Sequence, residues 1–436
     1  MISAPACGPL QGIRIVDLST VIMGPYASHI LADLGADVIK IETPEGDPYR
    51  SYTPRRNPGM NGAVLNLHRN KRSVVLDLKT AEGREALDCI VRSADVFMFN
   101  LRPKVIEKLG YGYERVKSLK PDIVYCGAYG FGASGDYAEK PAYDDMIQAG
   151  SGIAALYAEI HGTPQYVPSV IYDKLVGQVA AYAILAGVVQ RERTGKGSAI
   201  EVPMFETAIE FNLLEHMLGA AFVPTLGPMG APRVLTQRRK PYRTRDGYAC
   251  ILPYSDKNWL DFFSFAGLEE CKKDARFHTL GARAENADSL YAYVEKAALT
   301  HTNAEWVAFG DQENVPTMAV VRLDELADDP HVRSVGLMRE TEHPTEGRYV
   351  CVRSPVSFSD HEFTVRHHAP TLGQHTEEVL REAGLSEDAI GMLTRLTQNF
   401  FGVLPVSARQ KVTGACARDL KCWRDRCSST AMPRAS

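Results

Sequence analysis

Between residues 12 and 130, short apolar runs alternate with segments of helical period. GIRIVDLST at 12–20 is an apolar run that predicts a strand. Gly24-Pro25 breaks it, and Pro25 suits the first position of a helix. That helix turns Ile30, Leu31 and Leu34 toward a sheet and stops at Gly35. ADVIKIE at 36–42 is the returning strand. A strand, a crossover helix and a strand within about 30 residues predict a parallel pair. The pattern then repeats. SVVLDL is a strand, Thr80 and Glu82 open a helix through Leu87, Ile90 and Val91, and DVFMFN is a buried strand ending at Asn100. A short helix runs from Pro103 to Leu109, and DIVYCGAY follows as a strand. Such alternation predicts an α/β fold with a doubly wound parallel sheet and ligands at the carboxyl ends of its strands.

Residues 175–189, LVGQVAAYAILAGVV, are apolar on nearly every side except at Gln178. The pattern predicts a helix with no wet face. Arg191, Arg193 and Lys196, with Gly195 and Gly197, match the negative end and the left-handed cap of that helix. SAIEVPMF then reads as a short strand. Asp173 falls at the first turn, where an aspartate ordinarily caps a helix.

Two stretches interrupt the alternation. Residues 43–72 are rich in Pro, Gly, Asn and Arg, and predict a long irregular loop closed by the basic knot of Arg69, Lys71 and Arg72. Residues 221–245 are rich in Pro and Gly, then basic, and predict a linker into a smaller domain. That domain opens with a hairpin turned at Asp246-Gly247 and continues with helices near 257–267 and 289–299. The chain thus divides into residues 1–220, a linker and small domain at 221–335, a segment 336–395 with a strand near 348–360 and a polar helix at 375–384, and a tail. From Leu396 no period holds. Seven Lys or Arg stand there against two Asp, with Cys416, Cys422 and Cys427, so the tail is expected to be disordered or foreign to the fold.

Composition narrows the class. Hydrophobic residues make up 45 % and charged residues 23 %, ordinary for a globular enzyme. The net charge of −4 gives no reason to expect nucleic-acid binding. No basic region followed by an apolar core opens the chain, so no signal peptide is expected. The 175–189 run is too short and interrupted to span a bilayer. Cys7, Cys89, Cys126, Cys250, Cys271 and Cys351 stand singly and read as core thiols. No C-x-x-C pair occurs, so neither a metal nor a redox site is expected and the cytosol fits best.

Candidate chemistry lies at predicted strand ends. GFGASG at 130–135 satisfies G-x-G-x-x-G, but Pro141 follows where a crossover helix would be needed, so a glycine loop near a ligand is the better reading. Arg69, Lys71, Arg72, Arg102, Lys104 and Lys140 could form a phosphate-binding rim, each against the alternative of a solvated charge. No P-loop and no G-x-S-x-G elbow is present. Asp144 and Asp145 sit in a polar loop. Alone, these features define an α/β enzyme or binding protein with an anionic ligand.

LQGIRIVDLSTVIMGPYASHILADLGADVIKIE, NLHRNKRSVVLDLKTAEGREAL, PAYDDMIQAGSG, AAYAILAGVVQRERTGKGSAIEV and PTLGQHTEEVLREAGL resemble, in order, the family III CoA-transferases of the formyl-CoA and carnitine-CoA type, from about residue 9 to 395. The resemblance implies a Rossmann-like domain made from both ends of the chain, an inserted smaller α+β domain and an interlocked homodimer. It makes Asp173 the nucleophile. A carboxylate ionised at neutral pH attacks an acyl-CoA thioester, and anhydride and aspartyl-CoA thioester intermediates pass CoA to a small carboxylic acid. CoA is then a substrate, with no tightly bound cofactor. The implied CoA contacts are Val21, Lys71, Asn100, Arg102, Tyr143 and Asp144. Thr20, Ile22 and Thr43 depart from the formyl-CoA pattern, which argues against formyl or oxalyl specificity, and no GGGG-like loop is found for the oxyanion. The 2-methylacyl-CoA racemases share the fold but carry His where Tyr143 stands. A phenol, ionising only near pH 10, is a poor base, which favours transfer over racemisation. A non-catalytic acyl-CoA-binding protein is the third reading. Arg238, Arg239 and Arg243 raise the prospect of a dicarboxylate acceptor such as succinate.

Overall fold

The computed structural model describes residues 8–400. Six parallel strands form the central sheet: β1 Arg14–Asp17, β2 Asp37–Glu42, β3 Lys71–Val75, β4 Val96–Phe99, β5 Val124–Tyr129 and β6 Ser198–Pro203. They lie in the order β3-β2-β1-β4-β5-β6. The order reverses between β1 and β4, which pair from Ile15 with Val96 to Asp17 with Met98. In open α/β sheets ligands bind in the crevice at this reversal, beyond the carboxyl ends of the strands.

The strands alternate between two cores, as a sheet buried on both faces must. Val16, Ile39, Val74, Phe97 and Tyr125 pack on one face with the helix Ala81–Arg92 and with Val379 and Leu380. Ile15, Val38, Val96, Met98 and Val124 pack on the other with the helices Met23–Asp33 and Ile171–Thr194. Two glycines let the long helix sit close. A Cβ on Gly177 would stand 2.7 Å from the carbonyl oxygen of Met23, and one on Gly187 2.8 Å from Val124 Cγ1.

The long helix departs from the sequence expectation: it has an open face. Lys174, Gln178, Tyr182, Ala186 and Gln190 form an exposed stripe at helical spacing, with Tyr182 61 % and Val189 47 % exposed. The next helix, Met204–His216, adds exposed Phe211 and Leu214. Apolar character all round does not bury a helix when one chain supplies packing on one side only.

The expected irregular stretch 43–72 is also built up. It holds a 3₁₀ turn Pro48–Ser51, strands Arg55–Asn57 and Met60–Asn61, and a helix Gly62–Leu67 capped by the Asn61 side chain. Partners distant in sequence hold it: Asn57 Nδ2 donates to the carbonyl of Thr345 (3.1 Å), and Asn66 Nδ2 to that of Val350 (3.1 Å). The basic knot that closes it is internal. Arg72 pairs with Asp37 (2.6 Å), Glu378 (3.1 Å) and Glu382 (2.8 Å), so β3 is clamped to β2 and to the helix Thr376–Glu382. Residues 371–382 thereby return to the sheet edge, where the His375 amide donates to the Ser73 carbonyl.

A separate antiparallel sheet joins Tyr242–Arg243, Tyr248–Ile251 and Thr317–Ala319, with the predicted turn at Asp246-Gly247. Helices Asp256–Phe265, Ala287–Ala298 and Asn303–Glu313 cover it around Phe262, Val294, Trp306 and Phe309. A hairpin of Met338–His343 and Gly347–Val352 follows. Cys89, Cys126, Cys271 and Cys351 are buried and outside any disulfide, Cys250, expected in the core, is exposed, and Cys7 lies outside the described residues. A last helix reaches Phe400, and the rest of the expected tail lies outside the described residues.

Candidate active site

The site forms where the ends of β1 and β4 meet the start of the long helix. After Asp17 the chain turns sharply, and Val21 adopts a left-handed backbone with φ +69°. A β-branched residue rarely does so, at a cost of roughly 1–3 kcal/mol, and such strain persists only where neighbours fix it. Here the neighbours are polar, Asp47 buried and Asn100 partly so. The Asn100 side chain accepts from the Thr20 amide (2.9 Å) and donates to the Thr20 carbonyl (2.8 Å). Asp47 accepts from the amides of Val21 (3.1 Å) and Tyr49 (2.9 Å). Ser19 and Ser28 bind the Asp17 carboxylate from either side.

Asp47 in turn meets Lys40 at 2.9 Å, both side chains wholly buried. Burial alone would lower the Lys40 pKa, but Asp47, Asp17 and Glu42 together raise it above its ordinary value. Breaking a buried pair leaves an uncompensated charge. Asp47→Ala is therefore expected to cost about 3 kcal/mol, read as a lower urea midpoint at unchanged m.

The long helix starts at Ile171, and Asp173 lies in its first turn. The capping that the sequence assigned to Asp173 belongs to Asp144. Asp144 Oδ1 accepts from the amides of Tyr172 (2.7 Å) and Asp173 (3.0 Å), and Oδ2 from Gln148 Nε2 (2.6 Å). Gln148 Oε1 fixes the approach to the helix by accepting from the Val167 amide (2.8 Å). Relieved of that duty, the half-buried Asp173 carboxylate has no hydrogen-bond or ion-pair partner among the described residues. Burial first, and the Asp144 charge second, push its pKa up to about 6, against a smaller opposing effect of Lys174. An unpaired carboxylate with a raised pKa beside a cleft is a common mark of a functional group.

The other expected contacts separate into two groups. Val21 and Asn100 are at the strand reversal, Arg102 is exposed just beyond Asn100, and Tyr143 is 71 % exposed immediately before Asp144. Arg102 donates to the Glu139 carbonyl (2.8 Å), Lys104 pairs with the Glu139 carboxylate (3.3 Å), and Lys140 lies 3.4 Å from the Tyr137 ring centre, so these three exposed cations share one edge. Lys71 and Asp144 are behind the surface. Lys71 is fully buried, its ammonium on the Pro25 carbonyl (2.8 Å) and near His68 Nδ1 (3.4 Å), and burial lowers its pKa to about 7. Arg69 (on Asp33, 2.7 Å) and Arg72 are likewise internal, so the phosphate rim predicted from the sequence reduces to Arg102, Lys104 and Lys140. The GFGASG loop is not an open anion cradle: Gly132 and Ala133 give their amides to Glu206 and Glu201. Arg238 is tied to Asp288 and Glu295, leaving Arg239 and Arg243 exposed.

Sequence reasoning missed Tyr49. Its pKa is raised by burial first, then by Tyr52, Asp173 and Asp47, which places the phenol within reach of the Asp173 charge. Among the described residues, no group of three His, Cys, Asp or Glu side chains could hold a metal ion.

The strand reversal thus has an unpaired aspartate beside it, a group that can act as a nucleophile. Residues 10–376 match the family model described as CoA-transferase family III, and the chain belongs to that family. The formyl-CoA:oxalate CoA-transferases of Shigella sonnei and Escherichia coli are 29 % identical over 410 residues, covering 88 % of this chain and 98 % of theirs. A CaiB/BaiF family protein from Brucella suis superposes with TM-score 0.73 at 30 % identity, covering 86 % of this chain and 100 % of that one. Rv3272 from Mycobacterium tuberculosis does so with TM-score 0.73 at 27 % identity, covering 85 % and 98 %. The protein is a CoA-transferase enzyme that handles acyl-CoA thioesters and carboxylates.

Proposed function

We propose that the protein moves CoA from an acyl-CoA thioester, succinyl-CoA being a candidate, to a carboxylic acid through covalent intermediates on Asp173. The observation that carries this reading is the unpaired Asp173 carboxylate at the strand reversal. Its oxygen attacks the thioester carbonyl, the C–S bond breaks, and CoA thiolate leaves an acyl-aspartyl anhydride. The thiolate then attacks the aspartyl carbonyl, releasing the donor acid and leaving an aspartyl-CoA thioester. The acceptor carboxylate displaces the thiolate, and the thiolate attacks the acceptor's carbonyl to free Asp173. Each step exchanges one anion for another, so no acid/base pair is needed. Racemisation would require one, and the groups electrostatically coupled to Asp173 are the Tyr49 phenol, Lys174 and Asp144, whose carboxylate is occupied capping the helix.

In this reading CoA runs along Val21 and Asn100 toward Arg102, with Tyr143 near the thioester. Lys71 and Asp144 act from behind, fixing the turn and the helix start. Residues 1–220 and 336–395 form the large domain and 221–335 the linker and small domain. The exposed stripe of the long helix supports an interlocked homodimer, and the five cysteines among the described residues, none in a disulfide, support a cytoplasmic setting. Mixing the protein with succinyl-CoA, trapping with hydroxylamine or borohydride, and measuring intact and peptide masses is expected to map a covalent change to Asp173. No change, together with exchange of the substrate's α-proton for deuterium, would instead support the racemase reading.

A further inference from the structure

Beside the turn that carries Asp173 lies a cavity of about 410 Å³, within the roughly 300–1,000 Å³ of small-molecule sites. Val170 and Lys174, which bracket Asp173 on the helix, are in its wall. So is Ile22, next to the strained Val21. Tyr49, the phenol that feels the Asp173 charge, is another wall residue. The cavity therefore lies against the helix turn that carries Asp173, with Asp173 itself outside its lining. Away from that turn the lining is mostly apolar, with Tyr26, Ile30, Leu67 and Val352.

The polar residues in the wall are of two kinds. Asp33 and Arg69 are paired to each other at 2.7 Å, and Arg69 also meets His29 Nε2 (3.3 Å). Burial holds the His29 pKa near 3, so its ring is neutral. This end of the cavity has no net charge to offer a ligand. Lys174 and Arg353, by contrast, bond only to neutral oxygens: Lys174 to Ser169 Oγ (2.6 Å), Arg353 to the carbonyls of Val335 (2.9 Å) and Ser354 (2.6 Å). Among the described residues neither is paired with a carboxylate, so both remain open to an anion.

We propose that this cavity holds the body of the acyl group, and that the acid used is a monocarboxylic acid with an apolar, ring-sized or branched body. Its carboxyl carbon lies at Asp173, where Lys174 balances the anion entering or leaving. The apolar body fills the space between the first helix and Leu67. This specifies the substrate class of the Asp173 reaction and rests on that reading. It also replaces succinyl-CoA as the candidate donor and the short dicarboxylate acceptor anticipated from Arg238, Arg239 and Arg243, because the space beside the Asp173 turn is mostly apolar and Arg238 is already paired.

The test is the rate at which a thioester loads Asp173, followed by quenched-flow mass spectrometry with phenylacetyl-CoA and acetyl-CoA. Wild type is expected to load from phenylacetyl-CoA at least about 10-fold faster, since burying a few carbons is worth more than that. Ala63 is exposed at the cavity wall, so Ala63→Trp narrows the space without disturbing a core. The variant is expected to lose about 10-fold or more with phenylacetyl-CoA and to stay within about 2-fold with acetyl-CoA. Equal loading by both thioesters in wild type, or equal losses in the variant, would overturn the proposal while leaving Asp173 as nucleophile. A variant that instead shifts from dimer to monomer on gel filtration, without discriminating between thioesters, would assign the cavity to a second copy and overturn it too. Loading from neither thioester in wild type would overturn the Asp173 reading itself, and this proposal with it.

Discussion

Asp173→Ala is expected to lower kcat by more than about 10⁴-fold and to abolish covalent labelling, while acyl-CoA still binds. Loss of a covalent nucleophile removes the whole low-barrier route, and what remains comes from binding and orientation alone. Stopped-time turnover assays and isothermal titration with the donor thioester read the two quantities separately. Retained turnover would remove Asp173 from the chemistry, and lost binding would show that it holds the ligand. The wild-type rate should also carry the signature of the group. Its pKa lies near 6, so kcat/KM is expected to be flat above about pH 7 and to fall tenfold per unit below pH 6 as the nucleophile protonates. Stability should run the other way. A carboxylate whose folded-state pKa exceeds its unfolded value penalises the fold where it is charged. The penalty is complete above pH 6 and absent below about pH 4. Discounted for partial exposure, Asp173→Asn is expected to stabilise the protein by about 1–2 kcal/mol at pH 7 and by nothing measurable at pH 4. Urea denaturation at the two pH values checks the sign. An inactive but more stable variant is the trade expected of a group kept unpaired for reaction.

How far this site could be read from the sequence depends on the distance over which each residue is held. The strands near 14, 37, 73, 96 and 124 were legible because a buried parallel sheet writes its pattern locally, in runs of Val, Ile and Phe. In the sequence, the role proposed for Asp173 rests on family resemblance alone. By local pattern it was a helix cap, and the true cap is Asp144, 29 residues earlier. The knot of Arg69, Lys71 and Arg72 reads as a solvated or phosphate-binding face because its counter-charges are far away. Arg69 meets Asp33 36 residues back, and Arg72 meets Glu382 310 residues ahead. No periodicity records such partners. The stretch 43–72 reads as irregular for the same reason, since its short elements depend on contacts with 345–350. The long helix errs in the other direction. Apolar residues on every side predict burial within one chain, whereas Tyr182 and Val189 are exposed. Tyr49 left no trace at all: one tyrosine in a loop carries no signal until Asp47 fixes its turn and the Asp173 charge acts on the phenol.

Asp144 offers the sharpest check on this arrangement, because it acts on Asp173 in two separable ways. Its carboxylate fixes the helix start by accepting the amides of Tyr172 and Asp173, and its charge raises the Asp173 pKa. Asp144→Asn keeps an oxygen for the amides and removes the charge. The Asp173 pKa should then move down toward the ordinary value near 4. The acid limb of kcat/KM is expected to shift lower by about half a pH unit or more, with a plateau within about 10-fold of wild type. Asp144→Ala removes both functions. It leaves two amides of the first turn unpaired in a buried place, at a cost of about 1–2 kcal/mol, and frees the turn that aims the carboxylate. A loss of about 10²-fold in kcat is expected, since small misplacements of a reacting group are that costly. The contrast between the two variants carries the argument. A merely structural Asp144 would lower the amount of folded protein in both and leave the pH profile of the remaining activity where it was. A positioning Asp144 shifts the profile in the asparagine variant and lowers kcat in the alanine variant, with KM for the donor thioester nearly constant in each. Activity profiles measured between pH 4.5 and 8 on the folded fraction decide between them, and an unshifted acid limb in Asp144→Asn would show that the Asp144 charge does not reach the nucleophile.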